Sequence, residues 1–290
     1  MIKPLLQDDA FLADVESARH HSEQLHLWWL GQSGFLLQWE GRHVLLDPYL
    51  SESLTRKYEA TDKPHVRMTE RVIAPVLLHF VDVITSSHNH TDHLDPETLL
   101  PLLGSSPKIR LLVPEANRGF VADRLKVEME LPRGLEAGRS KKIAGFTFHG
   151  IPAAHNLRER DEWGHDKCLG YVVECGPWKV YHSGDSLLFP DMEELLRPFN
   201  VDVTLLPING DQPERQVAGN FDGPEAARLA HGIGAQVVIP CHYEMFEFNT
   251  ASPDAFVNEC RRLGQSYHLL RNGERWSSLN WKPRAVSAQS

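Results

Sequence analysis

The chain has 290 residues, of which 41% are hydrophobic and 24% charged, enough for one large globular domain or two small ones. Its formal net charge of -9 argues against a broad nucleic-acid or anionic-membrane footprint and favours small-molecule partners. A local basic pocket would not show at this level.

Residues 1–24 read as a helical extension, with LADVESA (12–18) at amphipathic spacing. LHLWWLG, GFLLQWEG and RHVLLD then read as short apolar strands broken by Gly31, Gly34 and Gly41, the pattern of a β-meander. Of the adjacent Trp28 and Trp29, one is expected in the core and one at an interface. From about Ser51 to Pro75 the chain turns polar and irregular. A strand, VDVITSS (81–87), runs into the stretch SSHNHTDHLD, and a helix, DPETLLPLL (95–103), follows with Pro96 suited to its first turn. Beyond it come a strand RLLVP, a helix near Glu115 to Leu125, and strands around FTFHG, CLGYVVE and WKVYHSGD. Helices and strands then alternate through MEELLRPF, VDVTLLP, GPEAARLAHGI, AQVVIPCH and DAFVNECRRLG. No linker, low-complexity tract or repeat interrupts the pattern, so residues 1–290 are expected to form a single layered α/β domain.

Asp8, Asp9 and Asp14 among the first apolar residues are unlike a secretion signal, and no window approaches the roughly 18 apolar residues of a membrane span. Cys168, Cys175, Cys241 and Cys260 show no C-x-x-C spacing and are too few to staple a fold of this size, which fits a reducing compartment. A cytoplasmic protein with buried thiols is expected.

SSHNHTDHLD packs three histidines and two carboxylates into ten positions. Where a strand ends in an extended segment, His88 and His90, two apart, send their imidazoles to the same side and can grip one cation. Asp92 and His93 follow where the chain turns into the helix, within reach of a second cation; roughly 3.5–4 Å is the usual two-metal spacing. Four or five residues cannot fill two coordination spheres, so further His and Asp are expected at later strand ends. His155 follows FTFHG, Asp185 ends WKVYHSGD, and His242 ends AQVVIPCH, each just past the carboxyl end of a strand, where α/β folds gather their sites.

In order, LLDPYL, SSHNHTDHLD, PAAHN, HSGDS and IPCHYEMF resemble the five motifs of the metallo-β-lactamase superfamily of hydrolases, over about Leu25 to Trp276. The resemblance implies an αββα sandwich with a binuclear metal site at one edge of the sheets. By motif position it implies His88, His90 and His155 on a first metal, Asp92, His93 and His242 on a second, and Asp185 bridging them. Asp47 would support a ligand without being one. The run from PINGDQ to IPCHYEMF, and WWLGQSGFLL, are similar to the branch containing the L-ascorbate-6-phosphate lactonases. Relatives there often carry Arg after P-I-N-G; this chain has Asp211, with Arg215 four residues on.

The implied activity is that of a dimetal-dependent, lactonase-like hydrolase, opening a small anionic, sugar-derived lactone with a hydroxide shared between two divalent ions. A phosphodiesterase or phospholipase D-like hydrolase of the same superfamily is the alternative, and a catalytically silent metal-binding module a third reading. Nitrogen and oxygen donors without a thiolate suit zinc, manganese or iron. Asp92 is the candidate to orient the attacking oxygen and carry a proton to the leaving one. Asp95 either holds a ligand imidazole or caps the helix. Asn209, Asn220 and Tyr243 either bind substrate or serve turns, and Arg215 either binds an anionic group or is solvated. Cys241, adjacent to His242, should point away from the site as packing. No nucleic-acid or membrane partner is expected, and a homo-oligomer is compatible with how relatives assemble.

Overall fold

The computed structural model describes residues 1–284. Its architecture follows from strands covered on both faces. In β1 (His26–Gly31) every residue is buried. Alternation sends Leu27 and Trp29 into the main core and Trp28 and Leu30 into a second core on the other face. Both tryptophans are fully buried, so neither is a surface residue; the Trp28 indole instead donates to Asp14 of the first helix at 2.8 Å.

β1 pairs antiparallel with β2 (Gly34–Trp39), and β2 with β3 (Arg42–Leu46). Three parallel strands extend this sheet: β4 (Val83–Thr85), β5 (Arg110–Pro114) and β6 (Pro132–Leu135). The second sheet begins as an antiparallel meander of β7 (Ser140–Ile143), β8 (Phe146–Pro152), β9 (Leu169–Cys175) and β10 (Trp178–His182). It ends with the parallel β11 (Val203–Pro207) and β12 (Val237–Cys241). The last strand, β13 (Arg275–Ser277), returns to the first sheet and pairs with β1.

Helices cover both outer faces. Against the first sheet lie α1 (Asp8–Ala18), α3 (Pro96–Ser105) and α4 (Arg118–Leu125), contributing Phe11, Val15, Leu99, Leu102 and Val121 to the second core. The short α2 (Ser53–Tyr58) lies between α1 and α3 in sequence, and the short α5 (Met192–Leu196) follows β10. α6 (Gly223–Gly232) and α7 (Asp254–Leu263) pack Ala226, Ala230, Phe256 and Cys260 onto the main core. This is the αββα sandwich of the metallo-β-lactamase type. The N-terminal helix packs its buried face on the first sheet as one of the outer helices. No helix among the described residues is long and apolar enough to cross a membrane.

Four elements escape sequence patterning for physical reasons, one being β7, a polar edge strand with only Ile143 buried. β6 contains Pro and Gly, tolerated because it is an edge strand with Pro at its first position. β13 is three residues long at the opposite edge. α2 lies inside the polar stretch that reads as irregular, with only Leu54 buried.

Candidate metal centre

Strand β4 stops at Thr85, and the loop that follows is braced from both sheets before any of its histidines is reached. Ser87 N–H donates to the Asp47 carboxylate at 3.1 and 3.2 Å, Leu169 N–H donates to Ser87 O at 3.0 Å, and the Tyr171 hydroxyl donates to Ser86 O at 3.0 Å. Gly184, from HSGDS, has φ +58, and a Cβ there would lie 2.4 Å from Ser87 Cβ; glycine is what lets these two loops touch.

The seven expected donors fall into two groups, His88, His90 and His155, and Asp92, His93, Asp185 and His242, each with donor atoms within 4.8 Å of one another. Within the first, His155 Nε2 faces His90 Nδ1 at 3.0 Å. In the second, His93 Nε2 lies 3.3 Å from Asp185 Oδ1 and His242 Nε2 lies 3.3 Å from Asp185 Oδ2. Asp185 Oδ2 is also 3.9 Å from His155 Nε2, so this carboxylate stands between the groups. The outer nitrogens are held from behind: His93 Nδ1 by Asp47 Oδ2 at 2.7 Å, His155 Nδ1 by Gly219 O at 3.0 Å, and His88 Nδ1 by Ser87 Oγ at 3.0 Å. Such outer contacts fix the ring orientation that metal-ligating histidines require.

The donor chemistry fits divalent metal. His88 Nε2 is buried without a hydrogen-bond partner, an arrangement that costs free energy unless something accepts its lone pair. Burial, reinforced by the His93, His155 and His90 imidazoles, holds His88 well below its ordinary pKa, and burial above all brings His155 down to about 4. Both rings are thus in the neutral form that binds cations. Burial opposes charge on His93 as well, but Asp185 and Asp92 outweigh it and hold that imidazole well above its usual value. Asp185 is kept ionised, against its burial, by His93 and His242.

A cavity of about 680 Å³ opens over the donors, with Asp92, His90, Asp185 and His242 in its lining. Its other ionisable walls are basic: Lys57, Lys63, His65 and Arg124. Among the described residues, none of these four forms a salt bridge with a carboxylate. Phe246, Phe248 and Tyr58 supply apolar wall.

Residues 26–242 match the family model described as the β-lactamase superfamily domain. A UPF0173 metal-dependent hydrolase from Alkaliphilus metalliredigens is 30% identical over 256 residues, covering 85% of this chain and 96% of that one. The chain belongs to this metal-dependent hydrolase family of the metallo-β-lactamase superfamily. Another UPF0173 hydrolase, from Rubrobacter xylanophilus, is 27% identical over 259 residues, covering 86% of this chain and 95% of that one. Among solved structures, the metallo-β-lactamase fold protein YhfI from Bacillus subtilis superposes with a TM-score of 0.61 at 18% identity, over 88% of this chain and 99% of that one. This hydrolase family therefore supplies the reaction class, and the two donor groups are its candidate metal sites.

Several expected neighbours of the site lie elsewhere. Tyr243 is buried with its hydroxyl donating to Leu270 O at 3.0 Å and its ring 4.5 Å from that of Trp29, so it packs behind the floor. Asn220 donates to Asn209 at 3.0 Å, and Asn209 donates to Asn249 at 3.0 Å. Asn209 and Asn220 form a buried layer beneath Asn249, which itself lines the cavity. Arg215 braces that layer through Asn209 O and Thr250 O, both at 2.7 Å. Asp95 is the helix cap: its carboxylate accepts from Glu97 N and Thr98 N, worth about 1 kcal/mol. Asp47, not Asp95, is the carboxylate on a site imidazole. Cys241 lies in the main core and outside both donor groups.

Sequence reasoning passes over Gln32, whose amide donates to Asp92 Oδ2 at 2.8 Å. The turn between two glycines in LGQSG was its only signal. Lys57, Lys63 and Arg124 sit in stretches with no distinguishing pattern, and only the folded cavity brings them together.

Proposed function

We propose that this metal-dependent hydrolase opens a small anionic lactone, or cleaves a closely related ester, in the cavity above the His/Asp groups. The observation that carries the reading is the pairing of seven convergent donors with a wall of Lys57, Lys63 and Arg124, in a chain whose net charge is -9. His88, His90 and His155 would hold one divalent ion, and Asp92, His93 and His242 another, with Asp185 between them. Zinc, manganese and iron all suit these donors. When bound, such ions supply a water acidified toward neutral pH and a Lewis acid for the oxygen under attack.

The chain's own residues supply orientation and proton handling. Lys57, Lys63 and Arg124 attract and orient the anionic group, leaving the acyl carbon toward the floor. Asp92, with one oxygen held by Gln32, takes the proton released as water adds to that carbon. The acyl carbon–oxygen bond breaks, and Asp92 returns the proton to the ring oxygen, giving a hydroxy acid. Phe246 and Phe248 cover the apolar face of the substrate and limit bulk water.

The test is the hydrolysis of L-ascorbate 6-phosphate by zinc- and manganese-loaded protein, followed by proton release, with bis(p-nitrophenyl) phosphate in parallel and Asp92→Asn as control. Metal-dependent ring opening abolished in the variant is expected. Turnover of the phosphodiester with none of the lactone would overturn the lactone reading and move the site to phosphodiester cleavage.

A further inference from the structure

Gln32 occupies an unusual place for a glutamine. It is 1% exposed, its φ is +49, and it sits on the cavity floor between Asp92 and His242. Left-handed backbone costs a non-glycine side chain of order 1 kcal/mol or more, and such strain concentrates at functional sites. Asp47 (φ +40) and His242 (φ +62), both in the centre, share this conformation.

The turn does not need the glutamine side chain to keep its shape. Gln32 O accepts from Trp29 Nε1 and from His242 N–H, both at 3.0 Å. His182 Nε2 contacts Ser33 O at 2.8 Å, and Ser33 Oγ donates to Asp185 Oδ1 at 3.2 Å. Gly31 adds close packing, since a Cβ there would fall 2.5 Å from Met245 Cε. With the main chain fixed on four sides, the carboxamide is free to serve the site.

Its contacts define that service. Asp92 accepts only, so the Gln32 nitrogen must be the atom 2.8 Å from Asp92 Oδ2. The same nitrogen is 3.0 Å from His242 Nε2. Gln32 Oε1 is buried and has no partner. The amide therefore spans the second donor group with one oxygen of Asp92 in its grip.

We propose that Gln32 is a positioning residue of the hydrolytic centre, whose amide fixes the Asp92 carboxylate so that its other oxygen serves the reaction. The inference needs hydrolysis at this site and the role of Asp92, and not the lactone itself. An amide hydrogen bond to a carboxylate is charge-assisted and directional, so its loss misplaces the acceptor without removing a ligand.

The experiment compares wild type, Gln32→Met and Gln32→Glu, each loaded with zinc for kinetics and with cobalt(II) for visible absorption. The kinetic probes are p-nitrophenyl acetate and L-ascorbate 6-phosphate. Met keeps the volume and removes the donor; Glu keeps the shape and replaces the donor with a second carboxylate. We expect two metals per chain in all three proteins, KM within about threefold, kcat lowered about ten- to hundredfold in the Met variant and at least as far in the Glu variant, and altered cobalt absorption bands. Unchanged kcat in Gln32→Met, or a loss of activity that follows loss of metal, overturns the proposal. If wild type turns over neither probe, the substrate reading has failed, and the cobalt spectra decide alone: altered bands in Gln32→Met at full metal content support the positioning role, and unchanged bands refute it.

Discussion

The floor of the cavity and its rim are built on opposite plans. The floor takes its donors from residues just beyond β4, β8, β10 and β12, and most of those side chains are buried and held by a second contact from behind. The rim takes Lys57 from α2, Lys63 from the segment after it and Arg124 from α4, at exposed or half-buried positions. Rigid strand ends hold a fixed chemistry, while the surrounding segments choose what may approach it. Substitutions of the floor's donors should therefore damage turnover and metal together, and substitutions on the rim should act on binding.

The largest effect is expected from Asp185→Ala, which removes the carboxylate between the two donor groups. Activity should fall by more than the roughly 10–100-fold typical of losing an outer partner, and elemental analysis should find fewer than two metals per chain. Full metal content with full activity would break the assignment of this residue to the floor.

Asp47→Ala comes next. It leaves every donor atom in place but frees the His93 ring and strands the Ser87 N–H and Thr85 hydroxyl that it accepts from. Metal affinity or activity should drop roughly 10–100-fold, and thermal unfolding should report about 1–3 kcal/mol of lost stability for an unsatisfied buried donor. A variant with normal metal affinity would show that the loop, not Asp47, orients His93.

How much of each plan was legible differs for the same reason. Strand-end donors must be His or Asp at fixed spacing, so SSHNHTDH, PAAHN, HSGDS and IPCH declared the floor from residue types alone. The alternation of strands and helices showed a layered α/β domain, and the motif resemblance implied the sandwich. For the proposed anionic substrate the rim would need only positive charge near the opening, which lysines anywhere could satisfy, and no local pattern marks it. Asn209, Asn220 and Tyr243 were drawn toward the site by their nearness in sequence, but hydrogen bonding turned them into the layer behind it. Gln32 was hidden because its hydrogen-bond partner, Asp92, is 60 residues away.

On the rim, Lys57→Ala combined with Lys63→Ala should raise KM for an anionic ester a few-fold and leave kcat unchanged, since exposed charge pairs contribute about 0.2–1 kcal/mol each. Salt should erase the difference between variant and wild type, because these charges are screened. A fall in kcat at constant KM would place the lysines in the chemistry instead.

The smallest signal is a proton count. Burial opposes charge on His93, but Asp185 and Asp92 hold it well above its ordinary pKa, which favours the protonated ring in the metal-free protein. Binding metal requires the neutral ring, so adding zinc to chelator-stripped protein in weak buffer should release acid. The double-lysine rim variant should release the same amount. Acid release that depends on the rim would blur the separation between the two plans.

The spread of the donors along the chain also sets an order of events during synthesis. The first group is complete once the ribosome has passed His155, whereas the second waits for His242, at the end of the last parallel strand. The three histidines of the first group are therefore all synthesised before the second group has its last member. His242 reaches Gln32 and Asp185 only when the last part of the chain meets the earlier ones, so the second donor group is assembled only as the sandwich closes.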